Sequence, residues 1–243
     1  LGCLVAETMI CFRTFRRFGS VDMQAYLFDF DGTLVDSAPD LTRALDRALE
    51  RAGLAGVGLE LGTQMVGHGA GALVEQAVRH VTNDDSFTMK SPLCRLLLSV
   101  FLEEYEPICA ETSVLYSGAT EVIQTLKAEG KQVGLVTNKP RRFVELMLPA
   151  FDLQDAFDSI VAGDDLPTKK PEPDMVHHAL TDLGRAPHEA CLVGDSKADL
   201  GAAKAAGVTS ILVSFGYAGD LDVYHCGADR VIQDLMELII NDT

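Results

Sequence analysis

Short apolar runs and amphipathic segments alternate along most of this chain. The run at residues 25–28 ends at Asp29 in turn-forming residues, as a buried strand does. Residues 38–113 carry apolar positions at helical spacing, and no strand is predicted there. Beyond residue 113, strands and helices alternate to the end of the chain. This order predicts an α/β fold with a doubly wound, mainly parallel Rossmann-like sheet and a helical cap inserted after the first strand.

The pattern also predicts where the later elements lie. Strands are expected at residues 131–136, 159–162, 190–193 and 210–213, and helices at 121–129, 141–148, 174–183, 198–206 and most of 231–240. The inserted helices should lie over the carboxyl ends of the strands, where open α/β sheets bind ligands.

We therefore predict four segments. A catalytic core is formed by residues 23–37 and 114–243, and a cap that sets substrate specificity by residues 38–113, with hinges near 35–39 and 112–117. Residues 1–22, which precede Met23 and the first convincing strand, are predicted to be a poorly ordered extension that activity does not need.

Composition and charge narrow the classes of function. The chain has 243 residues, of which 36 are acidic and 20 basic, so its formal charge is -16. This charge repels a phosphate backbone and argues against a nucleic-acid partner. No apolar run reaches the length that spans a bilayer, which argues against a membrane partner. Six cysteines without metal-ligand spacing fit a reducing cytoplasm, where we expect a monomer or homodimer.

Carboxylates at the ends of two predicted strands point to a metal site. Asp29 and Asp31 are two residues apart in an extended segment, so they point to the same side, and Gly32 lets the chain turn after them. Crowded carboxylates need a cation between them or a proton on one of them. Asp195 adds a third carboxylate after another strand. Oxygen ligands of this kind suit Mg²⁺, which we predict as the cofactor.

Two further charged residues have open roles at this stage. Asp199 falls in the first turn of a predicted helix, where it would either orient the metal ligands or cap the helix. Lys170 would supply the fixed cation that balances the acids and a bound phosphate, with Lys169 as its rival.

Four motifs in order carry a resemblance to the haloacid dehalogenase superfamily. They are DFDGTLVDS at residues 29–37, VTNKP at 136–140, KKPEP at 169–173 and GDSKADLGAAKAAG at 194–207. Within the superfamily, the segments LVDSAPDL, VGHGAGAL, AGDDLPTKKPEP and SFGY make the chain most similar to the phosphoglycolate phosphatases.

The resemblance implies a role for each core residue. Asp29 would attack phosphorus and form an aspartyl phosphate, and Asp31 would act as acid and then as base. Mg²⁺ would be held by the Asp29 side chain, the Asp31 backbone carbonyl and Asp195. Thr137 would hold phosphoryl oxygens, and Lys170 would hold Asp29 and the phosphate together. The expected substrate-binding residues are Gly32, Thr33, Asn138 and, in the cap, Gly67, His68 and Gly69.

The expected activity is therefore that of a magnesium-dependent phosphatase acting on a small phosphorylated metabolite, with 2-phosphoglycolate as the best guess. The alternatives within the superfamily are a β-phosphoglucomutase-like phosphomutase, a pyrophosphatase and a sugar-phosphate phosphatase. A protein that binds ligand without turnover is an alternative of a different class, and the complete motifs argue against it.

Overall fold

A six-stranded parallel sheet forms the centre of the protein in the computed structural model, which describes residues 23–67 and 69–240. In chain order the strands are β1 (Ala25–Phe28), β2 (Val35–Asp36), β3 (Val114–Leu115), β4 (Gln132–Val136), β5 (Ser159–Val161), β6 (Ala190–Gly194), β7 (Thr209–Val213) and β8 (Arg230–Ile232). The large sheet has the order β5-β4-β1-β6-β7-β8. Every pairing in it is parallel, which confirms the predicted fold class.

Helices flank this sheet and fill the segment between β2 and β3. The helices of the described residues are α1 (Ala38–Arg51), α2 (Gly58–Met65), α3 (Ala70–Thr82), α4 (Pro92–Tyr105), α5 (Ala119–Ala128), α6 (Arg141–Ala150), α7 (Asp174–Leu183), α8 (Lys197–Ala206) and α9 (Glu237–Ile240). Most boundaries lie within two residues of the predicted ones, which is the usual uncertainty of a helix end.

Strand β1 lies at the centre of the sheet because all four of its residues are apolar and buried. Successive side chains of a strand point to opposite faces. Tyr26 and Phe28 accordingly join the core on one side of the sheet, whereas Ala25 and Leu27 join the core on the other. A parallel sheet covered on both faces requires such a continuous apolar run.

The order β4-β1-β6 decides where the candidate residues meet. All three strands run in the same direction, so their carboxyl ends share one edge of the sheet. Asp29 follows β1, Thr137 follows β4 and Asp195 follows β6. The sheet topology therefore brings three separate sequence motifs to one place.

Helices α1 to α4 form a block, residues 38–113, in which α1 packs on α2 and α4, and α3 packs on α4. The two connections to this block pair with each other, because Val35 lies opposite Leu115 and Asp36 opposite Val114 in an antiparallel ladder. The buried carboxylate of Asp40 strengthens the junction by accepting hydrogen bonds from the backbone and hydroxyl groups of Thr112 and Ser113.

The prediction of helix over most of residues 231–240 is wrong. Residues Arg230–Ile232 form β8, which pairs with β7, and only Glu237–Ile240 are helical. Val231 and Ile232 suit either structure by apolar spacing, and the open edge of β7 supplies the hydrogen bonds that select the strand. Residues 1–22, predicted to be an extension, lie outside the described residues. None of the described helices combines the length and the apolar character of a membrane span.

Candidate active site

Asp29 and Asp31 lie at the carboxyl end of β1, and Gly32 turns the chain immediately after them. Gly32 has a φ of 82°, a backbone conformation that favours glycine. A Cβ atom at this position would stand 2.1 Å from Oδ2 of Asp195. Glycine therefore lets the loop after β1 approach the carboxylate that follows β6.

Three buried carboxylates gather at this edge of the sheet. Asp29, Asp195 and Asp199 each offer an oxygen, and these oxygens lie within 4.8 Å of one another. Oδ2 of Asp195 accepts a hydrogen bond of 2.5 Å from the backbone N–H of Tyr217. Its Oδ1 is buried and has no hydrogen-bond partner among the described residues. A ligand could therefore bind this oxygen without breaking an existing hydrogen bond.

Lys170 stands among these carboxylates and contacts two of them. Its Nζ donates to the carbonyl oxygen of Val136 at 2.7 Å and to Oδ1 of Asp199 at 2.7 Å, and lies 2.8 Å from Oδ1 of Asp29. The Lys170 side chain is fully buried, whereas its rival Lys169 is exposed. The structure thus brings Lys170 to the carboxylates and leaves Lys169 in solvent.

Asp199 both pairs with Lys170 and caps a helix. Its Oδ2 accepts hydrogen bonds from the hydroxyl of Ser196 at 2.5 Å and from the Ser196 backbone N–H at 3.0 Å. The Ser196 hydroxyl in turn accepts from the Asp199 backbone N–H at the start of α8. This reciprocal arrangement is a capping box. The two roles that the sequence left open for Asp199 are therefore compatible, because each uses a different oxygen.

The charge balance of the cluster favours an additional cation. Burial raises the pKa of Asp29 to about 6, although the Lys170 ammonium opposes the shift. Burial, followed by the charges of Asp199 and Asp29, also raises the pKa of Asp195 well above its ordinary value. One lysine does not balance three buried carboxylates. A divalent cation bound to their oxygens would supply the missing charge.

The residues present fit Mg²⁺. The donors are carboxylate oxygens, the ligand type that Mg²⁺ prefers, and Oδ1 of Asp195 is buried and without a partner among the described residues. Asp29 and Asp195 can contribute side-chain oxygens. Both oxygens of Asp199 are already engaged, by Lys170 and Ser196, so Asp199 acts by holding Lys170 in place.

Asp31 belongs to a second, separate group of contacts. Nζ of Lys139 lies 2.8 Å from Oδ1 and 3.2 Å from Oδ2 of Asp31, and the Ser37 hydroxyl donates to Oδ1 at 2.5 Å. The same Nζ donates to the Tyr105 hydroxyl of α4 at 2.8 Å. Neither Lys139 nor Tyr105 was predicted to be a site residue. The one local clue to a role for Lys139 was its position inside the VTNKP motif.

The predicted catalytic residue Thr137 and two predicted substrate-binding residues, Asn138 and Thr33, have distinct surroundings. The buried Thr137 lies at the end of β4 and faces the pocket beside Asp29. Asn138 also lines this pocket, but its side-chain amide exchanges two 3.0 Å hydrogen bonds with the backbone of Lys170. Asn138 thereby fixes the loop that carries Lys170. Thr33 is fully buried, and its hydroxyl has no hydrogen-bond partner among the described residues.

A pocket opens between this edge of the sheet and the helical block. Asp29, Asp31 and Lys139 line its polar end. The helical block contributes Gly67 and Gly69, which both have positive φ, together with an apolar wall of Leu41, Val66, Ala70, Leu73, Phe101 and Leu102. His68, the third predicted cap residue, lies outside the described residues.

Tyr217 links the carboxylates to the first connection of the helical block. Its hydroxyl accepts hydrogen bonds from the backbone N–H groups of Ser37 and Ala38 and donates to Oδ1 of Asp36. Its own backbone N–H donates to Asp195. In the sequence, the segment SFGY carries only a resemblance, and no local pattern could have indicated contacts across some 180 residues.

Comparisons with known proteins agree with this architecture. A profile described as haloacid dehalogenase-like hydrolase matches residues 26–213. A phosphoglycolate phosphatase from Nitrosococcus oceani is 38% identical over 87% of this chain and 93% of its own length. One from Colwellia psychrerythraea is 34% identical over 90% of this chain and 97% of its own length.

A crystal structure gives the same result at the level of the fold. Its protein, called a predicted phosphoglycolate phosphatase from Haemophilus somnus, superimposes with a TM-score of 0.82 at 29% identity, covering 90% of this chain and 98% of that one. The chain belongs to the haloacid dehalogenase-like hydrolase family and is a hydrolase. Within that family, the relatives to which it is similar carry the name phosphoglycolate phosphatase.

Proposed function

We propose that this protein is a magnesium-dependent phosphatase that hydrolyses 2-phosphoglycolate to glycolate and phosphate. The observation that carries the proposal is the pair of aspartates after β1, each held by its own buried lysine at the end of one pocket. Phosphate-ester hydrolysis through a covalent intermediate needs a nucleophile beside a separate acid and base. Asp29 and Asp31 supply these two groups.

In the first step an oxygen of Asp29 attacks phosphorus, and the bond from phosphorus to the ester oxygen breaks. Asp31, carrying a proton in this step, gives it to the leaving oxygen. A water molecule then attacks the aspartyl phosphate while Asp31 takes a proton from it, which releases phosphate and restores Asp29. Lys170 fixes the position of Asp29 throughout, since its Nζ also bonds the sheet backbone at Val136.

The proposed cation site consists of the Asp29 and Asp195 side chains with the backbone carbonyl of Asp31. When bound there, Mg²⁺ would neutralise negative charge on the transferring phosphoryl group. Thr137, at the end of β4, is in a position to donate a hydrogen bond to a phosphoryl oxygen of a substrate held at Asp29.

The choice of 2-phosphoglycolate rests on the relatives and on the pocket. Relatives that are 34% and 38% identical over most of the chain bear the name of that activity. The apolar wall from the helical block lines the same pocket as the aspartates, which favours a small leaving group. We further propose that residues 38–113 act as the cap that selects it, with Gly67 and Gly69 beside the substrate.

A cytoplasmic location, as a monomer or homodimer, completes the proposal. Cys94, Cys109, Cys191 and Cys226 are free thiols, and three of them are buried. Free thiols without disulfides among the described residues are typical of a reducing compartment.

Phosphate release from a panel of substrates tests the activity. The panel holds 2-phosphoglycolate, several sugar phosphates, nucleotides and pyrophosphate, each assayed with Mg²⁺ and with EDTA. We expect the highest kcat/KM for 2-phosphoglycolate and loss of turnover in EDTA. Turnover that EDTA leaves unchanged would contradict the cation site. Preference for another substrate, or isomerisation of a hexose phosphate without phosphate release, would contradict the substrate.

A further inference from the structure

Lys139 is the only lysine or arginine among the described residues that line the pocket. Its side chain is 2% exposed, and its Nζ also lies 4.8 Å from the centre of the Tyr105 ring. Its contacts come from opposite sides of the pocket, because Asp31 follows β1 and Tyr105 ends α4. The cation therefore stands between the reacting edge of the sheet and the helical block.

The hydrogen bonds of Lys139 leave it able to exchange a partner. Two of its three contacts go to the two oxygens of a single carboxylate, and the third goes to a phenol. Burial raises the pKa of Tyr105, so this phenol stays neutral and does not balance the ammonium charge. Lys170, by contrast, has three different partners and is absent from the pocket lining.

We propose that Lys139 binds the carboxylate of the leaving group and so selects phosphate esters of small 2-hydroxy acids. This inference rests on the proposed function and names the residue behind its substrate preference. Asp31 must reach the ester oxygen to protonate it, and Nζ of Lys139 lies 2.8 Å from Oδ1 of Asp31. In such an ester the carboxylate is one carbon removed from that oxygen. Proton donor and cation thus address neighbouring atoms of the same leaving group.

Among the described residues that line the pocket, no other cation is available to such a carboxylate. Toward the helical block it would meet Leu41, Leu73 and Phe101, and toward the sheet it would meet two aspartates. An anion enclosed there without a countercharge is strongly disfavoured. Lys139 supplies that countercharge, and the carboxylate replaces either the Tyr105 hydroxyl or one oxygen of Asp31 as its partner. A leaving group without a carboxylate gains nothing from this exchange.

A change in substrate selectivity tests the proposal. The full chain and its Lys139→Met variant are assayed with Mg²⁺ on 2-phosphoglycolate and on ethyl phosphate, which has the same carbon chain without the carboxylate. Methionine keeps most of the length of the side chain and removes the charge. We expect the ratio of the two kcat/KM values to fall roughly 10- to 100-fold, the range of a charge-assisted hydrogen bond. If Lys139 only positions Asp31, the variant would lower kcat/KM equally for both substrates and leave the ratio unchanged.

Two conservative variants provide the same contrast if Lys139→Met fails to fold. Lys139→Arg and Lys139→Gln both keep a donor for Asp31, and only arginine keeps the charge. We expect the arginine variant to retain the preference for the carboxylate and the glutamine variant to lose it. Equal ratios of the two kcat/KM values in the two variants would overturn this inference and leave the proposed function standing. A wild-type protein that hydrolyses other phosphates but not 2-phosphoglycolate would overturn the proposed substrate, and with it the inference.

Discussion

Two buried lysines serve the two aspartates of the site in different ways. The ammonium group of Lys170 contacts Val136 in β4, Asp29 after β1 and Asp199 in the first turn of α8, and none of these residues belongs to the helical block. Lys139 joins a residue after β1 to Tyr105 on α4. A cation held on one side only is part of a fixed framework. A cation shared between two sides of a pocket can respond to what enters it.

The two lysines are both charged, but the carboxylates that they contact differ in their exposure to solvent. Burial lowers the pKa of each, but nearby carboxylates outweigh this, and both pKa values are raised overall, by Asp199 and Asp29 for Lys170 and by Asp31, with the hydrogen bond to the neutral Tyr105 hydroxyl, for Lys139. Both side chains therefore remain charged. The side chains of Lys170 and Asp199 are almost completely buried, whereas the Asp31 side chain is 16% exposed. Four predictions test this difference, from the largest effect to the smallest.

The largest effect is expected from removing the nucleophile on the Lys170 side. Asp29→Asn should lower kcat by at least about 10⁴-fold, because no covalent intermediate can form. Asp31→Asn on the Lys139 side should cost less, roughly 10²- to 10⁴-fold, because only proton transfer is lost. Steady-state phosphate release measures both, with circular dichroism to show that the fold persists. A rate for Asp29→Asn near that of the wild type would remove Asp29 as nucleophile.

The loss of stability on replacing each lysine should show which of the two contributes more to the folded structure. Lys170→Met leaves Asp29 and Asp199 buried without their cation and should cost about 3–5 kcal/mol of stability. Lys139→Met should cost about 1–3 kcal/mol, because Asp31 can regain water from the pocket. Urea unfolding of both variants without Mg²⁺ gives the comparison. Equal losses, or a larger loss for Lys139→Met, would refute the distinction between them.

The response to Mg²⁺ should depend on pH through Asp29. Its pKa of about 6 in the folded protein lies above the ordinary value of 3.8, so the folded state binds this proton more tightly than the unfolded state. Its stabilising contribution is complete below about pH 3.8 and is lost as the pH rises through about 6. Mg²⁺ competes with that proton, so its stabilising effect should grow from pH 5 to 7, reaching about 2.7 kcal/mol at 100 times Kd.

Thermal unfolding at several pH values, with Mg²⁺ or EDTA, measures this response. Asp195→Asn is the control, because it removes a proposed ligand and should abolish the stabilisation at every pH. Stabilisation by Mg²⁺ that is constant from pH 5 to 7 would show that the cation does not displace the Asp29 proton.

The smallest effect is expected from the helix-capping residue Ser196, which contacts Asp199 and thus the group around Lys170. Ser196→Ala removes the hydroxyl that bonds Asp199 at the start of α8 and should cost about 1 kcal/mol, the usual value of a helix cap. The contact between Asp199 and Lys170 uses the other oxygen and should persist. Denaturant unfolding measures the loss. A cost above about 3 kcal/mol would show that Ser196 supports the whole carboxylate cluster.

The sequence by itself determined the fold class and the convergence of the main acids. Apolar runs separated by helical segments predicted a parallel sheet, and parallel strands end at one edge, so Asp29 and Asp195 could be expected to meet. The proline-bounded KKPEP motif indicated a fixed lysine and favoured Lys170, with Lys169 as its rival. These inferences succeed because periodicity and turn chemistry are local properties of the chain.

The tertiary structure alone decided which side chains complete the site. Tyr105 and Lys139 meet across 34 positions, and Lys139 and Asp31 across 108. In the sequence, Tyr105 is only one more apolar position of a helix, and which core group that position faces depends on how α4 packs. The strand β8 was missed for a related reason, because the hydrogen bonds that stabilise it belong to β7. Contacts of this kind arise from packing between distant segments, which no local pattern encodes.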